Sequence, residues 1–114
     1  MPEREISVDK VLQALGDPNR RAIIEILREQ PHSVSYLAEQ LKITLTAVRQ
    51  HLQILEDSGL ARTEKLGRVR TASLDSPGFL ALEAWVGKHR NRWDRRLEQL
   101  GKLLTELDGE VESP

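Results

Sequence analysis

Apolar residues recur along most of this chain at steps of three and four, and the breaks between the stripes fall at glycine, proline or a capping side chain. Val8, Val11, Leu12 and Leu15 form the first stripe, with Ser7 as its cap and Gly16 as its stop, which predicts a short helix. Asp17-Pro18 then sets a capping acid before a proline at the first helical position, where the missing N–H costs nothing, so a second helix is expected to run to about Glu29. Ala22, Ile23, Ile24, Ile26 and Leu27 cover more than half of its circumference, and it is predicted to be the most buried helix. Gln30-Pro31-His32 interrupts the chain, with His32 expected in a solvated turn. Ser33 caps a short third helix carrying Val34, Leu37, Ala38 and Leu41, and Lys42-Ile43 makes the turn into a fourth helix.

That fourth helix, 44–57, is bounded by its own chemistry: Thr44 caps its first free N–H groups, and Gly59 takes the left-handed conformation that closes its last turn. Leu45, Val48, Leu52 and Leu55 are expected to face a core, with His51 beside them as a packed, hydrogen-bonded histidine. At about 100° per residue, Thr46, Gln50 and Gln53, with Arg49 nearer the edge, fall on the opposite side, which carries no acid until Asp57. Arg grips guanine N7 and O6 through two parallel bonds and Gln does the same for adenine, so this face suits the edges of bases in a major groove. The same pattern also describes an ordinary amphipathic helix whose Gln and Thr meet only water. Two short helices joined by a tight turn, the second polar on its outward face, make a helix-turn-helix, although helical hairpins that never touch DNA share the spacing.

After Gly59 the pattern becomes extended. Residues 60–66 and 69–74 flank Gly67-Arg68 and predict a two-stranded hairpin, a wing beside the reading helix. Its Arg62, Lys65, Arg68 and Arg70, together with Lys42 and Thr44 at the preceding turn, are candidates to hold DNA phosphates; a hairpin kept soluble by its charges is the competing account. Ser76-Pro77 repeats the cap-and-proline start, and a long helix is expected to about Leu107. Its seam of Phe79, Leu82, Val86, Trp93, Leu97, Leu100, Leu104 and Leu107, interrupted at His89 and Arg90, is longer than so small a domain can bury. The economical account is a second copy of the chain, packed through Val86, Trp93, Leu97, Leu100 and Leu104 and through Val8 and Leu12 of the first helix. The alternative is that the second half frays, since Gly87 and Gly101 weaken it. The fold class that results is mainly α (α+β), a winged helix-turn-helix of about five helices plus a two-stranded wing, with 1–108 as one domain and 109–114 as an acidic, disordered tail.

With 114 residues there is room for one modest core and for no separate catalytic domain. The net charge of -1 argues against indiscriminate binding to nucleic acid, but its distribution reverses that reading. Between Lys42 and Leu74 six cations stand against three acids, whereas from Glu98 onward five acids outweigh Lys102. No cysteine is present, so disulfides and zinc-thiolate sites are excluded, and His89, Asp94 and Glu98 are read as a chance trio and not a ligand set. No signal-peptide pattern and no apolar run long enough for a bilayer is visible, which makes the cytoplasm the expected location and a membrane partner unexpected. Neither a Gly-x-Ser-x-Gly elbow nor a phosphate-cradling Gly-Lys loop occurs; an enzyme is the least favoured class, and no metal or other cofactor is called for.

Several blocks together resemble the ArsR-type, or arsenical-resistance repressor, family of winged-helix regulators. These are Ala14-Leu15-Gly16-Asp17-Pro18-Asn19-Arg20-Arg21 with the Ile-rich helix after it, Val34 through Ile43, and Ala47-Val48-Arg49-Gln50-His51-Leu52 with Leu55 and Ser58-Gly59-Leu60. The likeness spans roughly 8–107. It implies a homodimeric transcriptional regulator, usually a repressor, on a palindromic double-stranded operator. Arg49 stands where the family often has Ser, implying a different base preference, and the aromatic residue common near Thr71 or Ala72 is missing. Metal-sensing members carry Cys pairs on the third helix, where this chain has Ser33 and Ser35. An effector of unidentified kind is left open, and a winged-helix module that binds protein without reading DNA is the alternative function.

Overall fold

The computed structural model describes residues 6–112. Five helices, α1 (Val8–Leu15), α2 (Pro18–Leu27), α3 (Val34–Leu41), α4 (Leu45–Asp57) and α5 (Pro77–Glu112), combine with strands β1 (His32–Ser33), β2 (Ala61–Leu66) and β3 (Val69–Leu74). The chain groups into two units, 1–83 and 84–114. The sequence reading placed 1–108 in one domain.

In the first unit the caps act at the expected places. Asp17 accepts from the N–H groups of Asn19 at 2.8 Å and Arg20 at 3.2 Å, Ser33 Oγ accepts from Tyr36 N at 3.1 Å, and Thr44 Oγ1 accepts from Ala47 N at 3.0 Å. Ser7 occupies the cap position of α1 without a side-chain bond. The end of α1 is closed from outside: Arg20 Nε donates to Ala14 O at 2.7 Å, Arg20 Nη2 to Gln13 O at 3.2 Å, and Arg21 Nη1 to Leu15 O at 2.7 Å. Carbonyls left over at a helix end are met by cations that also suit its negative pole. Gly16 therefore stops the helix in an ordinary right-handed conformation, at φ -71°.

The core is aliphatic. Val11, Ala14, Ile23, Leu27, Val34, Leu37, Val48, Leu52, Leu55 and Leu60 are buried, with Ala38, Ala61 and Ala72 filling between them. Each fully buried Leu, Ile or Val contributes about 1.5–3 kcal/mol relative to exposure. The expectation that α2 is the most buried helix is corrected: only Ile23 and Leu27 are fully buried on it, against three residues each on α3 and α4. An apolar run that wraps a helix can turn only one stripe inward, and here Ile24 and Ile26 remain half-buried.

Two further expectations change. The wing is part of a three-stranded antiparallel sheet of order β1-β3-β2. His32 pairs with Ala72 and Ser33 with Thr71, so His32 lies on a strand and stacks on Tyr36 at 4.2 Å instead of sitting in a solvated turn. Extended backbone entering the α3 cap supplies the free groups that the outer edge of β3 needs. In addition, α5 continues past Leu107 to Glu112, so the change to a disordered tail expected at 109 falls within the helix; no proline intervenes there to stop it. Residues 1–5 and 113–114 lie outside the described residues.

The first turn of α5 is fixed to the end of α4 by two glycines. Gly59, at φ +73°, accepts from Gly78 N at 2.7 Å, and a Cβ on Gly78 would stand 2.5 Å from the Ser58 carbonyl oxygen. In the second unit, α5 presents Trp93, Leu97, Leu100, Leu103, Leu104 and Leu107 as exposed side chains, and Trp85, His89 and Trp93 form an edge-to-face ladder one turn apart.

Candidate nucleic-acid interface

α3 and α4 are joined by Lys42, whose left-handed φ of 57° makes the sharp turn that a helix-turn-helix requires. On α4, Val48, Leu52 and Leu55 face inward while Thr46, Arg49, Gln50 and Gln53 are all exposed. Leu45 is a correction to the expected buried stripe, being 45% exposed. It is the first residue of the helix, where the stripe runs out into the wall of a groove. His51 is half-buried at 3.3 Å from Arg20 Nη1.

The groove lies between the wing side of α4 and the hairpin, with a volume of about 750 Å³. Arg49, Gln53 and Glu56 line it from the helix, Lys65, Arg68 and Arg70 from the wing, and Ser33 and Ser35 from the start of α3. Residues alternate sides along a strand, so Thr63 and Lys65 share the groove face of β2, whereas Arg62 belongs to the other face and donates to Ser73 Oγ at 3.4 Å. Gly67, at φ +62°, is the one residue of the two-residue turn with positive φ, as a type II′ hairpin needs, and it leaves Arg68 at the tip. The structure thus brings Arg49, Gln53, Lys65, Arg68 and Arg70 together. Thr46 and Gln50 lie on the neighbouring strip of α4, and Lys42, Thr44 and Arg62 lie outside the groove.

Two local bonds qualify these roles. Gln53 Nε2 donates to Asp57 Oδ1 at 3.0 Å, which orients its amide along the helix. Glu56 Oε1 accepts from both Thr63 N, at 2.7 Å, and Thr63 Oγ1, at 2.6 Å, and Arg70 Nη1 donates to Thr63 Oγ1 at 3.1 Å. Glu56 is one of the three acids that stand against six cations between Lys42 and Leu74. Its place one turn from Leu52 and two turns from Arg49 was the available signal. Four cations therefore surround a single carboxylate that is already hydrogen-bonded, and the groove as a whole is suited to an anion.

Among the described residues no group of three His, Asp or Glu is placed to hold a metal ion, and no helix is long and apolar enough to cross a membrane.

A reading helix flanked by a basic wing defines a winged helix-turn-helix DNA-binding regulator, and comparison with known proteins agrees. Residues 15–64 match the model of a helix-turn-helix domain. The chain is 36% identical over 98 residues to the HTH-type transcriptional regulator Rv2034 of Mycobacterium tuberculosis, covering 86% of this chain and 89% of that one. It is 39% identical over 69 residues to the HTH-type transcriptional repressor SmtB of the same species, covering 59% and 51% respectively. The crystal structure of an ArsR family transcriptional regulator superposes with a TM-score of 0.70 at 40% identity, covering 76% of this chain and 90% of the other. This chain belongs to the ArsR family of transcriptional regulators.

Proposed function

We propose that the protein is a cytoplasmic homodimeric repressor that reads a palindromic operator. In this reading α4 enters the major groove with Thr46, Arg49, Gln50 and Gln53 at base edges, while Lys42, Thr44, Arg62, Lys65, Arg68 and Arg70 hold phosphates. The two reading helices of a dimer then address successive major grooves about 34 Å apart. The observation that carries the reading is the meeting of Arg49 with Lys65, Arg68 and Arg70 along one groove beside an uncharged helix face. Repression is supported by the name of the relative SmtB. Dimerisation is supported by the exposed seam Val86, Trp93, Leu97, Leu100 and Leu104, with Val8 half-buried and Leu12 exposed on α1.

The test is binding to a duplex selected from a random pool and to unrelated duplexes over a range of salt. Arg49→Ala is expected to weaken the selected site by roughly 1–3 kcal/mol and to blur one base position, and Arg68→Ala to weaken all duplexes alike. Parent-like binding by both variants overturns the assignment of these residues. Affinity that is flat in salt points instead to a module that binds protein.

A further inference from the structure

Glu56 is out of place in a groove built for phosphate, since its carboxylate repels the ligand that Arg49, Lys65, Arg68 and Arg70 attract. Its bonds give it another task. β2 is an edge strand, and Glu56 takes both the N–H and the hydroxyl of its Thr63. A hydroxyl has one proton, and that of Thr63 goes to Glu56, so the oxygen's lone pairs face away from the carboxylate and one receives Arg70 Nη1 at 3.1 Å. Donation toward a carboxylate also makes the hydroxyl a better acceptor. The chain of bonds therefore has one direction, from Arg70 on β3 through Thr63 on β2 to Glu56 near the end of α4. Arg70 needs such a hold, because Lys65 stands directly opposite it and pushes it away.

We infer that Glu56 is a positioning residue: acting through Thr63, it fixes the Arg70 guanidinium relative to the reading helix, so that a phosphate contact of the wing stays in register with the base contacts of α4. This rests on the DNA-binding reading above. It assigns to Glu56 and Thr63, neither of which touches DNA in that reading, control over a contact made by a third residue.

The test is a double-mutant cycle on the full chain, using a fluorescein-labelled duplex selected from a random pool, with binding followed by anisotropy across salt concentrations. Thr63→Val removes the hydroxyl while keeping the N–H bond to Glu56 and the side-chain shape. Thr63→Val and Arg70→Ala are each expected to flatten the log-log salt slope by the value of one lost phosphate contact, about 0.9. Thr63→Val combined with Arg70→Ala is expected to flatten it no further than either alone, and Glu56→Ala to match Thr63→Val. Thr63→Ser, which keeps the hydroxyl, is expected to retain the parent slope even where its melting temperature falls. A parent-like slope for Thr63→Val, or additive losses in the double variant, overturns the inference while leaving DNA binding intact. A parent protein whose binding is insensitive to salt overturns both.

Discussion

Lys65 and Arg70 face each other across β2 and β3, two cations directly opposed in an antiparallel pair. Like charges in that position destabilise a hairpin by about 0.2–1 kcal/mol, and the groove they line gathers two further cations, Arg49 and Arg68. Binding strength and fold stability thus pull in opposite directions at this position. Lys65→Glu is expected to raise the melting temperature by turning repulsion into attraction while weakening DNA binding and flattening its salt dependence. Calorimetry and a salt series on one preparation check both, and a lowered melting temperature contradicts the opposition.

Glycines on α5 should respond to alanine in opposite ways. At Gly78 an added Cβ meets the carbonyl oxygen of Ser58 at 2.5 Å and the backbone of Gly59 at 2.9 Å, none of which can yield without moving the exit of α4. Gly78→Ala is expected to cost about 1–3 kcal/mol, as overpacking does. Gly87 has nothing within 4 Å of the same atom, so Gly87→Ala is expected to stabilise by about 1 kcal/mol through helix propensity. Urea unfolding of the two variants gives the comparison, and equal effects would show that the Gly59–Gly78 contact does not hold the first turn of α5 in place.

How much of this was legible in the sequence depended on range. Asp17, Ser33 and Thr44 cap the helices they were expected to cap, and Gly67-Arg68 turns the hairpin, because each signal acts within four residues. The clustering of basic residues also carried over, with Arg49, Lys65, Arg68 and Arg70 in one groove. What escaped were contacts between parts of the chain far apart in sequence: His32 pairing with Ala72, Arg20 reaching His51, and Gly78 closing on Gly59. A stripe of Leu and Val shows which side of α4 is buried but not what stands beside its flank. Glu56 consequently read as a charge against DNA, and Leu45 as core.

Partial burial pushes the Asp17 carboxyl upward, but the amides of Arg20 and Asn19 and the charges of Arg20 and His51 outweigh it and hold its pKa below the ordinary value. A lowered carboxyl pKa favours the folded state when the group is ionised. The contribution is therefore complete above the unfolded pKa of about 3.9 and lost as pH falls through the lower folded value. Asp17→Ala is expected to lower stability at neutral pH, with the gap to the parent closing in acid. Asp17→Asn keeps a capping oxygen without the charge and is expected to show less of this pH dependence. Chemical unfolding across pH tests the sign, and a gap that widens in acid contradicts it.

The seam on α5 gives the sharpest test of the proposed homodimer. Trp93 is 40% exposed, Leu97 64% and Leu104 53%, an apolar stripe that one chain leaves in water. Covering each large side chain is worth about 1.5–3 kcal/mol, enough in sum to hold two copies together. Charge along the helix favours a particular pairing: Lys88, Arg90, Arg92, Arg95 and Arg96 make the earlier part basic, while Glu106 and Asp108 make the later part acidic. Two such helices attract when they run in opposite directions and repel when parallel. Leu100→Asp places a charge in the middle of the stripe and is expected to leave a folded monomer. Binding to a two-half-site operator should then fall by roughly 10²-fold or more, because linkage between half-sites is lost. Gln99→Asp adds the same charge among Lys88, Arg92 and Arg96, away from the seam, and is expected to remain dimeric. Sedimentation velocity separates the two variants. If Leu100→Asp sediments as the parent dimer does, this seam is not where the copies meet.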